Sequence, residues 1–167
     1  MKKVLVAVDL SGATVQVCNA ARDLAQPLGA RLIILHVVPP PPLMLEYYAL
    51  STVQVGLLER GARRRAAEKL QALAHWFRKS CPDTKVIEHA GPPVERILRT
   101  AKQVKPDYLV LGSHGHSAAF ELLAGSVAHG VLMASPVPVV LVPIRPRVPA
   151  TRTKPSPAEA QLIVSLR

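Results

Sequence analysis

A single α/β domain on a five-stranded parallel sheet is predicted by two features of this chain. Short apolar runs rich in β-branched residues alternate with longer amphipathic stretches, and glycine or proline marks the junctions. With 167 residues and 49% hydrophobic content, the chain can bury one ordinary core. Runs without a polar face, such as 32–38 and 137–142, suit strands covered by helices on both sides, joined by right-handed crossovers.

Residues 2–8 supply the first strand. Ser11 is placed to cap a helix running to about residue 28, where Gly29 stops it. The second strand is 31–38, and Pro39 to Pro42 enforce an extended exit. Over 51–80, Val55, Leu58, Ala62, Ala66, Leu70, Leu73 and Phe77 recur at three- and four-residue steps, which predicts a long amphipathic helix. A short third strand at 85–89 precedes Gly91, Pro92 and Pro93, which open a helix with the stripe Val94, Ile97, Leu98 and Ala101. Lys105-Pro106 ends it. Residues 108–111 are the fourth strand, Gly125 or Ser126 begins a helix to about 134, and 138–142 is the fifth strand.

The domain therefore spans 1–144. From Arg145 to Pro157 the composition shifts to Pro, Arg, Thr and Ser, which cannot bury enough apolar surface to offset ordering entropy. Residues 145–167 are expected to form a Pro/Arg-rich flexible tail. Its last stretch, 160–166, turns apolar again and is fit to dock as a strand or helix.

The formal charge of +10 invites a nucleic-acid or acidic-membrane reading, but the charge is spread out. After Pro143 there are five basic residues against Glu159, which leaves 16 basic and 10 acidic residues before it, a net of +6. The densest cluster, Arg60, Arg63, Arg64, Arg65 and Lys69, is read as a solvated helix face with Glu59–Arg63 and Arg64–Glu68 pairs at i,i+4. Aromatic content of 4% offers little for base stacking, so only weak nonspecific polyanion binding is expected. Cys18 and Cys81 lack a disulfide or zinc-like spacing, which points to a reducing cytoplasm. Asp9 interrupts the first apolar run too early for a signal peptide, and the other runs are of strand length, so no membrane insertion is expected.

The chemistry concentrates in Gly112-x2-Gly115-x9-Gly125-Ser126, set directly behind the apolar run 107–112. Glycines allow positive φ and close approach of main chain to a ligand, and Ser126 is a preferred N-cap whose following amides open a helix toward negative charge. In a parallel sheet the ligand lies beyond the carboxyl ends of the strands at the switch in strand order, where Asp9, Val37 and Gly112 all fall. They are expected to share one pocket. Taken alone, Asp9 is as well explained as a turn or helix-capping residue. His114 and His116 with His129 downstream lack a carboxylate shell, so no metal site is assigned.

Five blocks in order resemble the universal stress protein family, in its nucleotide-binding branch. They are the opening from Lys3 to Ser11, Leu35-His36-Val37-Val38, the turn from Gly91 to Ile97, Leu111 to Gly115 with Gly125-Ser126-Val127, and Pro136 to Pro143. The resemblance covers about residues 2–144. It implies a Rossmann-like (adenine nucleotide alpha hydrolase-like) domain with strand order 3-2-1-4-5 and a regulatory role in the stress response. The implied ligand is ATP, or ADP or AMP, with or without Mg2+. By resemblance Asp9 contacts the nucleoside, the Val37 main chain reads the adenine edge, and Gly112, His114, Gly115, Gly125, Ser126 and Val127 hold the phosphates. It also implies a homodimer through the edge strand 137–142.

The loop departs from the family pattern. Many relatives carry Arg or Lys just after the second glycine and again further along, whereas this chain has His116, Phe120 and Glu121. Less positive charge faces the phosphates, so a diphosphate, monophosphate or signalling nucleotide stays open beside ATP. No nucleophile–His–acid set, carboxylate pair or Walker lysine is present in the sequence, which leaves slow ATP hydrolysis or autophosphorylation as a minor expectation and no catalytic residue assigned. The alternative reading is a nucleotide-free dimeric interaction protein acting through its surface and basic tail.

Overall fold

The computed structural model describes residues 1–40, 52–113 and 125–144. His114, Gly115 and the tail over 145–167 lie outside the described residues. Strands β1 (Lys3–Val8), β2 (Arg31–Val38), β3 (Lys85–Ala90), β4 (Tyr108–Gly112) and β5 (Val139–Val142) form one sheet in the order β3-β2-β1-β4-β5. Every neighbouring pair is parallel. The described helices are α1 (Thr14–Ala25), α2 (Thr52–Arg78), α3 (Pro93–Val104) and α4 (Ser126–Ala134). This is the Rossmann-like sheet that the strand pattern and the resemblance led us to expect.

Alternation along each strand divides the core in two. Val4, Val6, Leu32, Ile34 and Val110 face α1 and α2, where they pack with Val17, Ala21, Leu70, Leu73 and Phe77. Leu5, Ala7, Ile33, Leu35, Leu109 and Leu111 face the other way, onto Ile97, Ala101 and Val131 of α3 and α4. Each large side chain so buried contributes about 1.5–3 kcal/mol of transfer free energy, which is why the strands read as continuous apolar runs.

Two helices depart from the sequence reading. First, α1 starts at Thr14 rather than Ser11, because the chain leaving β1 makes a tight turn. Asp9 Oδ1 accepts the Ser11 N–H at 3.0 Å, Leu10 takes a left-handed φ of 57°, and Ser11 O accepts the Thr14 N–H at 3.0 Å. The same helix ends at Ala25, short of Gly29, which has a φ of 56°. Second, of the α2 stripe Ala66, Leu70, Leu73 and Phe77 are buried while Ala62 is half-buried, and the neighbouring Leu57 is 59% exposed. The side chains of Val55 and Leu58 lie outside the described set. Length explains this: the 27 residues of α2 span about 40 Å. The eight residues of β2 beneath it reach only about 26 Å.

Candidate functional site

The strands all run the same way, so their carboxyl ends and the helix N-termini that follow come together at one edge of the sheet. Between β1 and β4 the connections diverge to opposite faces, and a crevice opens there. It holds a cleft of about 420 Å3. Its floor is Ala7 to Asp9 of the β1 end, Leu35 to Val37 of β2, and Leu111 and Gly112 of β4, with Gly125 to Ala128 forming a further wall. Of the site residues read from sequence, Asp9, Val37, Gly112, Gly125, Ser126 and Val127 are therefore brought together, while His114 and Gly115 fall outside the described residues.

Asp9 is exposed at the cleft and already has one structural task, the turn hydrogen bond to Ser11. Its second oxygen makes no hydrogen bond among the described residues. The β1–β2 ladder ends at Val8↔His36, whereas β2 continues beside β3 to Val38↔Ala90. Val37 is thus the first residue past its last β1 partner, where main-chain groups meet the cleft.

The phosphate-loop expectation is modified at three points. Gly125, rather than Ser126, is the N-cap of α4: its N–H donates to Ser113 O at 2.6 Å while its carbonyl accepts the His129 N–H at 2.8 Å, and Ser126 becomes the first helical residue. Neither Gly112 nor Gly125 uses positive φ; Gly125 sits at φ −57°, ψ 159°. Gly112 is needed for space. A Cβ there would lie 2.6 Å from Ile144 Cδ1 and 3.2 Å from Val17 Cγ2. Ser113 anchors this end of the sheet, with its N–H on Val142 O at 2.9 Å and its Oγ accepting the Ile144 N–H at 3.2 Å.

Electrostatically, three helix N-termini border the cleft, those of α1, α3 and α4; none has a side-chain cap hydrogen bond, and of the three α3 carries an acidic residue, Glu95, in its first turn. Uncapped N-terminal amides and the helix dipole together favour an anion. No three His, Cys, Asp or Glu side chains gather as a metal site among the described residues.

The sequence reading missed His36, Thr14 and Ile144, all of which line the cleft. His36 is buried with Nδ1 2.8 Å from Val8 O; since a carbonyl only accepts, the ring proton sits on Nδ1. A histidine inside an otherwise apolar strand was the available signal. Thr14 is buried with Oγ1 lacking a hydrogen-bond partner. Nothing local marks Ile144, which follows a proline and reaches the cleft only because β5 pairs with β4.

Strand order, parallel pairing and a crevice at the switch point define a small Rossmann-like α/β domain. The sequence matches the universal stress protein family over residues 1–143, and the chain belongs to that family. It is 33% identical over 141 residues to the universal stress protein in the QAH/OAS sulfhydrylase 3' region of Thermus aquaticus, which covers 84% of this chain and 98% of the relative. Among solved structures, universal stress protein UspA from Lactobacillus plantarum shares the fold at a TM-score of 0.73 and 23% identity, over 84% of this chain and 97% of that one. A universal stress protein solved in complex with cAMP is similar at a TM-score of 0.55 and 26% identity, over 84% and 95% of the two chains.

Proposed function

We propose that this chain is an adenine-nucleotide-binding universal stress protein with a regulatory role in the stress response. One observation carries the reading. Asp9, Val37 of β2 just past its last β1 partner, and the uncapped N-terminus of α4 at Gly125, Ser126 and Val127 all border a single cleft of about 420 Å3, within the size range of small-ligand sites. In this reading the second Asp9 oxygen accepts a ribose hydroxyl and the Val37 main chain meets the adenine edge. Gly112, His114, Gly115, Gly125, Ser126 and Val127 surround the phosphates. A similar protein solved with cAMP supports a nucleotide as occupant. The ligand class is ATP, ADP, AMP or a signalling nucleotide; any Mg2+ would be held mainly by the phosphates, with Asp9 the carboxylate at hand.

The test is calorimetry of the purified protein with adenine nucleotides, beside mass spectrometry for nucleotide that co-purifies. Gly125→Val should abolish binding by crowding the anion site. Its backbone angles are open to any L-residue, so the fold should survive. Unchanged affinity in a folded Gly125→Val protein refutes this placement.

Assembly belongs to the same proposal. Strand β5 stands at the sheet edge with Val140 exposed, and Leu132 and Met133 of α4 are exposed as well. A twofold pairing of β5 with its copy would cover that edge. Pro138 and Pro143 remove amide donors on either side, so the contact would centre on residues 139–142. We place the protein in a reducing cytoplasm, in keeping with Cys18 and Cys81, both free and buried. Among the described residues no helix is long and apolar enough to cross a membrane.

One finding favours the second reading, a nucleotide-free interaction protein: contact with Ile144 and Val17 accounts for Gly112 without any ligand. The same calorimetry separates the two.

A further inference from the structure

We propose that the start of α1, through the Thr14 hydroxyl, holds the ribose of the bound nucleotide together with Asp9, so that the cleft selects ribonucleotides over their deoxy forms. This rests on the nucleotide reading above and adds a binding residue that neither the glycine motif nor the resemblance assigns.

The turn from β1 into α1 spends several of its polar groups on itself. Ser11 N–H donates to Asp9 Oδ1 at 3.0 Å, Ala13 N–H to Ser11 Oγ at 3.3 Å, and Thr14 N–H to Ser11 O at 3.0 Å. Other groups of the same turn are left over. The second Asp9 oxygen has no donor, and the Val15 and Gln16 N–H groups have no acceptor among the described residues. Thr14 Oγ1 has no partner, although the residue is only 1% exposed. Asp9, Ala13 and Thr14 all line the cleft. A buried hydroxyl left unpaired destabilises a fold, so one kept on a cleft wall points to a partner that arrives with the ligand.

The chemistry of these leftover groups selects that partner. A phosphate would be repelled by the Asp9 carboxylate, and an apolar group would leave both the acceptor and the donors unpaired. A hydroxyl satisfies both, because it gives its proton to the carboxylate while its own oxygen accepts from a neighbouring donor. In an adenine nucleotide the alcohol groups are on the ribose. Asp9 takes a ribose proton in the reading above, and Thr14, on the same wall, donates to that hydroxyl or to the one beside it.

Oγ1 is out of contact with solvent in this structure, so it reaches the ribose by a turn about χ1 that exchanges hydroxyl and methyl. Threonine in helices occupies two rotamers, and no hydrogen bond holds Oγ1 in the present one. The N-termini of α3 and α4 are occupied differently. Glu95 sits in the first turn of α3, and the N-cap amide of α4 already donates to Ser113 O at 2.6 Å. Arg96 Nε is also buried without a partner, but it lies against Gly91, and Arg96 is not among the described residues that line the cleft.

The test is calorimetry of the full chain with ATP and AMP, each beside its 2′-deoxy and 3′-deoxy forms, in the parent, Thr14→Val and Thr14→Ser proteins. Urea unfolding of each protein reports on the fold. At least one deoxy form should bind the parent about fivefold or more weakly than its ribonucleotide, a gap of about 1 kcal/mol. Thr14→Val should weaken the ribonucleotide by a similar factor while changing that deoxy form by less than about twofold, and Thr14→Ser should keep the parent's preference. Thr14→Val should at the same time unfold at no lower urea concentration than the parent without nucleotide, a combination that a purely structural role does not give. Deoxy forms that all bind as tightly as the ribonucleotides overturn the inference, and this comparison in the parent decides alone if Thr14→Val fails to fold. So does a folded Thr14→Val protein that binds as tightly as the parent or loses ribo and deoxy forms alike, or a Thr14→Ser protein as weak as Thr14→Val. Each of these leaves the nucleotide reading intact. Binding of neither ATP nor AMP to the parent overturns both.

Discussion

Replacing Gly112 by alanine should cost about 1–2 kcal/mol of folding stability, and Ile144→Val should remove most of that cost. Alanine introduces no dihedral strain here, because Gly112 does not use positive φ. By itself the reduced entropy of the unfolded chain would stabilise the protein by about 0.4–1 kcal/mol. The penalty is steric. The new Cβ would approach Ile144 Cδ1 to 2.6 Å and Val17 Cγ2 to 3.2 Å, while Ile144 Cγ1 stands at 3.5 Å. Carbon atoms prefer about 3.5–4.0 Å, so the worst contact comes from the one methyl that Ile144→Val deletes. Urea unfolding of the parent, both single variants and the double variant forms a cycle whose coupling should be about 1 kcal/mol. In melting temperature that is about 2–4 °C for a chain of this size. If Gly112→Ala costs the same in both backgrounds, within about 0.5 kcal/mol, the contact with Ile144 is not the reason for the glycine. The double variant then serves a second purpose. Nucleotide binding that returns with stability would show that Gly112 serves packing, and binding still lost would show that the ligand itself needs the missing side chain.

Thr14→Val keeps the shape and removes a buried hydroxyl without a partner, so the ligand-free protein should gain up to about 1 kcal/mol in urea unfolding. A clear loss of stability would mean that the hydroxyl is satisfied after all. Burial pushes the Cys18 thiol up from 9.0 to about 12. The unfolded chain therefore releases this proton first as pH rises, and stability should fall from about pH 9 upward, by about 1 kcal/mol at pH 10. Lys and Tyr titrate in the same range, so the measurement is the difference from Cys18→Ala, whose alkaline slope should be shallower; equal slopes refute it. At β5, Val140→Lys should give monomers by light scattering if the edge strand forms the dimer, and Val142 should be left alone because it is buried in the core. A folded Val140→Lys protein that stays dimeric rules out that interface.

Much of this was legible because local chemistry decides it. Val4 to Val6 and Leu32 to Leu35 are apolar at every position, so they can only be strands covered on both faces. The glycine and serine at 125 and 126 announced a helix start, although the donor–acceptor pair Ser113–Gly125 moved the cap by one residue. The α1 boundary was misplaced for a similar reason: Ser11 has the chemistry of a cap, but the Asp9 carboxylate takes its N–H and holds it in the turn before the helix. The half-burial of Ala62 beside the buried Ala66 follows from the length of α2 relative to the strands beneath it, which periodicity does not report.

By itself, then, the sequence determined the element types, the parallel α/β class and the family, since these follow from the spacing of apolar residues and from motifs read along the chain. It also identified Asp9, Val37, Gly112 and Gly125 to Val127 as neighbours, by their shared position at strand ends and a helix start. Tertiary structure alone decided what surrounds them. The contact of Ile144 with Gly112 spans 32 positions and exists only because β5 pairs with β4. The burial of Thr14 and the placement of Lys3 and Arg31 at the edge away from the cleft depend likewise on how strands register. Those are long-range contacts, set by packing between elements rather than by any residue's own preference, and the electrostatic character of the site follows from them.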